Sequence, residues 1–245
     1  MPQAASLTKL NLSGNRLGAK AIAALSETIR NAESPTSLFD IDISRNPLVG
    51  DGGAAAEDAL LALVKSVADC PSVSILGLSR VGITDEVGGR IAVALTGRDE
   101  MDAPRRALTK LDLSHNALGE DFAKAMLFVG SACPKLASLD ISHNPLGASG
   151  GKSIAKAAAY CPALRIIDLT RTNLCNCTPR DARERQSWTG DAVNVLCATL
   201  LTGPPIQVSP SLPRLSPDRQ SSPHIRPLPC SPCSPCSPWT LPDLP

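Results

Sequence analysis

One spaced pattern, apolar-x-x-apolar-x-apolar-x-x-Asn-x-apolar, recurs six times in this 245-residue chain. The copies run Leu7–Leu17, Leu38–Leu48, Val73–Ile83, Leu108–Leu118, Leu136–Leu146 and Leu164–Leu174. Their ninth positions are Asn15, Asn46, Val81, Asn116, Asn144 and Thr172, so the steps are 31, 35, 35, 28 and 28 residues. A pattern this regular over so much of the chain points to stacked repeats rather than to a single closed core.

The spacing says what each copy builds. The apolar-x-apolar pair alternates with period two, which is a short strand with its apolar side inward. The asparagine closes the following turn, because its side chain can bond neighbouring backbone groups. Helical spacing of Ala and Leu then predicts helices over Gly18–Asn31, Ala54–Asp69 and Ser149–Tyr160. One strand and one helix cannot bury an apolar face alone, but stacked units share a continuous core. The expected fold is therefore an α/β solenoid, a curved parallel sheet inside and helices outside.

The segments LTKLNLSGNRLGAKAIAAL and LASLDISHNPLGASGGKSIAKAA resemble the ribonuclease-inhibitor-like class of leucine-rich repeats over about residues 5–202. The 35-residue units depart from that class through a longer helix before Cys70 and an added loop, Gly97 to Arg106. Residues Cys175 to Trp188 interrupt the last unit, whose helix is expected to resume over Thr189–Thr202. The domain reading is a solenoid of about six repeats over 1–202 and a Pro/Ser-rich disordered tail over 203–245. In that tail 13 of 43 residues are proline and the apolar periodicity stops, so it cannot bury enough surface to order itself.

Composition narrows the function. A net charge of +1 and an aromatic content of 2% leave little for a nucleic acid to bind, and no nucleic-acid partner is expected. No apolar run is long enough to cross a membrane, and the N-terminus lacks the layout of a signal peptide. The expected location is the cytoplasm. Cys70, Cys133 and Cys161 each precede or approach a proline at the same place in their repeats, a helix-end position where free thiols pack as small hydrophobes. Neither a nucleophile elbow nor a phosphate loop is present, since Gly50-Asp51-Gly52-Gly53 lacks the Lys-Ser/Thr that would follow it. No enzymatic activity and no cofactor are expected.

The strand face carries columns of polar side chains. The fifth position reads Asn11, Asp42, Gly77, Asp112, Asp140, Asp168; the seventh Ser13, Ser44, Ser79, Ser114, Ser142, Thr170; the eighth Gly14, Arg45, Arg80, His115, His143, Arg171. The acidic and hydroxyl columns also suit turn geometry and solubility, whereas the basic column has less of a structural reason. Extended concave surfaces are where solenoids engage partners. The residues expected to contact a protein partner are Arg45, Arg80, Asp112, His115, Asp140, His143, Asp168 and Arg171. A solvated pair outweighs a metal site for His115 and His143, because three or four ligands are needed.

The tail holds Arg226-x-x-Pro229-x-x-Pro232, six Ser-Pro pairs and Cys230-x-x-Cys233-x-x-Cys236, all of which low complexity explains as well. Asn176-Cys177-Thr178 is a glycosylation acceptor only in a secreted chain. No polar capping unit precedes Leu7. End repeats need caps, so the chain is expected to be a fragment of a longer repeat protein or to cover that end by self-association or with a partner. Resemblance implies three functions. One is a non-enzymatic scaffold like the sensor region of nucleotide-binding immune receptors. The second is a regulator of actin assembly similar to the capping-protein and myosin-linker (CARMIL) family. The third is a GTPase activator similar to the Ran GTPase-activating proteins, of whose motif Asn15-Arg16-Leu17 is a fragment.

Overall fold

The computed structural model describes residues 7–31, 37–49, 53–96 and 107–174, with the backbone of 207–209. Strands and helices alternate. The strands are β1 (Lys9–Asn11), β2 (Asp40–Asp42), β3 (Ile75–Gly77), β4 (Lys110–Asp112), β5 (Ser138–Asp140), β6 (Ile166–Asp168) and β7 (Gln207–Ser209). The helices between the first six are α1 (Ala19–Arg30), α2 (Gly53–Asp69), α3 (Asp85–Thr96), α4 (Glu120–Ala132) and α5 (Gly147–Ala159). Every strand pairs in parallel with the next, in the order β1 to β7. The register aligns the repeats position for position: Leu10, Ile41, Leu76, Leu111, Leu139 and Ile167 stand opposite one another.

Those aligned residues and the apolar residue two places on are the core. Ile41, Ile43, Leu76, Leu78, Leu111, Leu113 and Ile141 are wholly buried, against Ile22, Leu60, Ile91, Phe122 and Ile154 from the helices. Full burial of such a side chain contributes roughly 1.5–3 kcal/mol. Each helix packs on the next along the stack. Three of the expected helices are present within two residues of their expected ends. Gly53, the last glycine of the Gly50-Asp51-Gly52-Gly53 run, starts α2. None of the described helices is long and apolar enough to cross a membrane. In β1, by contrast, Leu10 and Leu12 are only partly covered and Leu7 is exposed, because no strand lies on that side among the described residues.

The solenoid runs further than Thr202. β7 pairs residue by residue with β6, Val208 opposite Ile167, and the compact unit extends to Ser211. β7 lies past the expected boundary at 202. Parallel pairing uses backbone N–H and C=O groups and needs no apolar pattern. Pro205, Pro210 and Pro213 stand in sequence where earlier copies have Leu, Leu and Asn, which hides the repeat. The remaining tail readings, the interruption at 175–188, the helix at 189–202 and the loop at 97–106 lie outside the described residues.

Candidate binding face

The turn asparagines do more than close their own turns. Asn144 Oδ1 accepts from the N–H groups of Asn116 and Leu118 in the preceding repeat (3.2 and 3.1 Å). Its Nδ2 donates to the carbonyls of Leu113, Ile141 and Ser142. Asn46 does the same for Asn15 and Leu17, and Asn116 for Val81, Gly82 and Ile83. Asn46 and Asn144 are buried with both ends of the amide satisfied. The side chains therefore fasten each repeat to the one before it.

The acidic column is largely committed to the backbone as well. Oδ1 of Asp42, Asp112, Asp140 and Asp168 accepts the N–H two residues on, at 2.9, 2.9, 3.0 and 2.9 Å. This is the Asx turn that lets an aspartate shape the chain after a strand. The hydroxyl column is interlinked: Ser114 Oγ donates to Ser79 Oγ (2.9 Å), and the Ser79 N–H donates to Ser44 Oγ (3.1 Å). Among the described residues the second carboxylate oxygen of Asp112, Asp140 and Asp168 accepts no further hydrogen bond.

The basic column sits at the corner where strand becomes turn. Its N–H groups still continue the ladder, Arg45 to the Ser79 carbonyl, Arg80 to that of Ser114, His115 to that of Ser142 and His143 to that of Thr170. Yet every member has a left-handed backbone: Arg45 φ 58, Arg80 φ 55, His115 φ 55, His143 φ 57 and Arg171 φ 55. Only the first repeat uses glycine there, Gly14 with φ 71. A left-handed residue with a Cβ costs roughly 1–2 kcal/mol. Histidine tolerates this region better than most residues, but arginine has no such preference.

Arg80, His115, His143 and Arg171 line one open groove of about 480 Å³, with Pro145 and Asn173 on its wall. Arg45, one repeat further along, is not among the lining residues. The rings of His115 and His143 stack with centroids 3.9 Å apart and planes 14° apart. Burial holds His115 below the usual histidine value, helped by the neighbouring His143 and Arg80 and opposed by Asp140 and Asp112. Among the described residues Arg45, Arg80 and Arg171 form no ion pair. No cluster of three metal-ligating side chains occurs among them either.

One column escaped the sequence reading. By the same period-two rule, the third position shares the open face with the fifth: Lys9, Asp40, Ile75, Lys110, Ser138 and Ile166. It is chemically uneven, as a selective surface would be. Lys9 pairs with Asp40 at 2.8 Å, and that hydrogen bond and the Asp40 charge push the lysine up from its usual value. Ile166 is 43% exposed, an apolar point on a polar face.

Residues 3–26, 106–121 and 132–155 match the family model described as Leucine Rich repeat. No curated protein matches the chain. The three matched segments fall on β1–α1, β4 and β5–α5, in register within one parallel sheet, and the chain is a leucine-rich-repeat protein.

Proposed function

We propose that this chain is a non-enzymatic interaction module that holds a protein partner on the open sheet face and the adjoining turn corner. Leucine-rich repeats generally mediate protein–protein contact. The observation that carries the reading is the row of Arg and His side chains at left-handed positions, unpaired among the described residues and set beside the mixed third-position column. The backbone there favours glycine, so turn geometry does not explain the side chains. Arg45, Arg80 and Arg171 supply cationic contacts, His115 and His143 supply ring nitrogens for hydrogen bonds, and the second oxygens of Asp112, Asp140 and Asp168 accept hydrogen bonds.

A photoreactive residue placed at Lys110 or Ile166 of the full chain tests this, with Phe128 on α4 as the control position. Crosslinks to protein in cell extract are expected from the sheet positions and not from Phe128. Crosslinks from Phe128 alone, or from none of the three, overturn the reading.

Three finer points belong to the same proposal. The ribonuclease-inhibitor-like subclass is supported by full helices of 12 to 13 residues in α1, α4 and α5. A cytoplasmic setting is supported by the unbridged thiol of Cys161, which is buried and pushed up to about 11 by burial and by the neighbouring Cys133. Self-association through the half-covered edge of the first repeat is supported by exposed Leu7 and by partly covered Leu10 and Leu17. A concentration-independent monomer mass in light scattering would remove that last point.

A further inference from the structure

We propose that the groove of Arg80, His115, His143 and Arg171 binds the anionic side chains of an extended acidic polypeptide, and that the stacked histidines make this binding strengthen as pH falls. The inference rests on the reading that a protein partner engages this face, and it names the chemistry of the segment that does so.

Four observations carry it. First, what the groove offers a ligand is basic. Asn116 and Asn144 also border it, but their amides are spent on the backbone of neighbouring turns. No carboxylate of the described residues lines it. The nearest acids, Asp112, Asp140 and Asp168, stand on the strands with one oxygen each held by an Asx turn. Second, Arg80 and Arg171 have no acidic partner among the described residues, so their charge is available. Third, the left-handed backbone at all four positions costs stability that glycine would not, which leaves the side chains themselves as the reason for these residues.

Fourth, the spacing suits a strand-like ligand. Four consecutive turns at about 4.8 Å per step span roughly 14 Å, the length of about four extended residues. Arg at each end reaches a carboxylate or phosphate as a planar fork of donors. Nucleic acid is the less favoured occupant, because the two imidazoles in the groove already stack on each other and no Phe, Tyr or Trp of the described residues lines it.

The histidine pair sets the pH response. Two imidazolium rings 3.9 Å apart repel each other, so double protonation without a ligand is unfavourable. The charges facing the pair are Arg80 and Arg171 along the groove, and Asp112 and Asp140 from the strands. Near neutral pH the arginines carry the site. As pH falls, a bound anion between the arginines offsets the repulsion and favours protonation, so binding takes up protons. By linkage the affinity then rises, at most about tenfold per proton per pH unit. The free protein behaves oppositely. His115 lies below its ordinary 6.5 in the fold, so the unfolded chain takes the proton first and stability falls as pH drops below that value.

Fluorescence anisotropy with the full chain tests the proposal at about pH 7.5 and 5.5, where glutamate stays ionised. The probes are a labelled Glu-rich decapeptide, its Gln counterpart, a phosphoserine peptide and a single-stranded oligonucleotide. The Glu peptide is expected to bind at least tenfold more tightly than the Gln peptide, and about fivefold more tightly at the lower pH. Arg80→Gly with Arg171→Gly should abolish binding at both pH values while melting near the wild-type temperature, since glycine suits the backbone. His115→Asn with His143→Asn should keep binding at the higher pH within about twofold and lose the pH effect, since asparagine also accepts this conformation.

Binding of the phosphoserine peptide alone supports the anionic groove and assigns phosphate as the source. Equal binding of Glu and Gln peptides, a pH effect that survives the histidine change, or tighter binding of the oligonucleotide overturns the proposal. So does the absence of binding by any peptide. If sheet-face crosslinks persist in that case, the interaction reading stands and only the acidic-ligand groove falls.

Discussion

At the residue scale, the turn positions decide whether neighbouring repeats stay fastened. Asn144 satisfies two N–H groups of the previous repeat and three carbonyls from a buried site. Asn144→Thr should cost roughly 2–4 kcal/mol in urea unfolding, because a hydroxyl cannot replace both ends of the amide and buried groups are left unpaired. The reverse change, Thr172→Asn, should move stability by less than about 0.5 kcal/mol. There the preceding Leu146 N–H already donates to the Asn144 carbonyl and the Gly147 N–H to that of Thr172. Equal effects of the two changes would show that the amide has no fastening role. Gly82 has φ 85, and a Cβ there would lie 2.4 Å from the Val49 carbonyl oxygen. Gly82→Ala is therefore expected to destabilise by at least about 1–3 kcal/mol, read as a lower melting temperature.

At the element scale, two cross-repeat devices set how turns and helices start. Wherever the tenth position is proline, Pro47 and Pro145, the next repeat lacks its asparagine and has Val81 or Thr172 instead. The backbone carbonyl of the substituted residue takes over, accepting from Leu48 and Val49 at Val81 and from Gly147 at Thr172. The pairing was present in the sequence, but its meaning needed the register that sets one turn over another. The second device is Asp85, the first residue of α3. It accepts from the N–H groups of Gly119, Asp121 and Phe122 at 2.8, 3.1 and 2.8 Å and so caps α4 of the following repeat. A Cβ at Gly119 would stand 2.7 Å from that carboxylate, which is why glycine sits just before α4. Asp85→Ala should cost about 1–2 kcal/mol and speed hydrogen exchange in the first turn of α4. Unchanged exchange there would mean the cap is dispensable.

At the scale of the whole molecule, the described elements of each repeat touch only those of its neighbours, so stability is shared along the stack. The first repeat has a neighbour on one side among the described residues, and its Leu10 and Leu12 are half covered where Leu111 and Leu113 are wholly buried. The N–H groups of Leu12 and Gly14 donate to Asp42 and Ser44 just as those of Leu78 and Leu113 donate to Asp112 and Asp140. Despite equal hydrogen bonds, Leu12 and Gly14 should exchange faster, because opening the end repeat exposes less buried surface. Equal protection at both places would show one all-or-none unit instead.

The sequence alone determined the repeat, its strands and helices, the aliphatic core and the columns of the strand face. These follow from a period of two, a period of 3.6 and a fixed spacing, which are local properties of a chain. The tertiary structure decided how the columns are used. It committed one oxygen of each aspartate to a turn, set Arg80, His115, His143 and Arg171 around one groove and left Arg45 outside it. It also added β7 beyond the last legible repeat. The physical reason is the same in each case. A hydrogen bond across repeats, a stacked ring pair or a parallel backbone ladder joins residues about 28 to 41 positions apart, and their meeting depends on the register of the stacked turns.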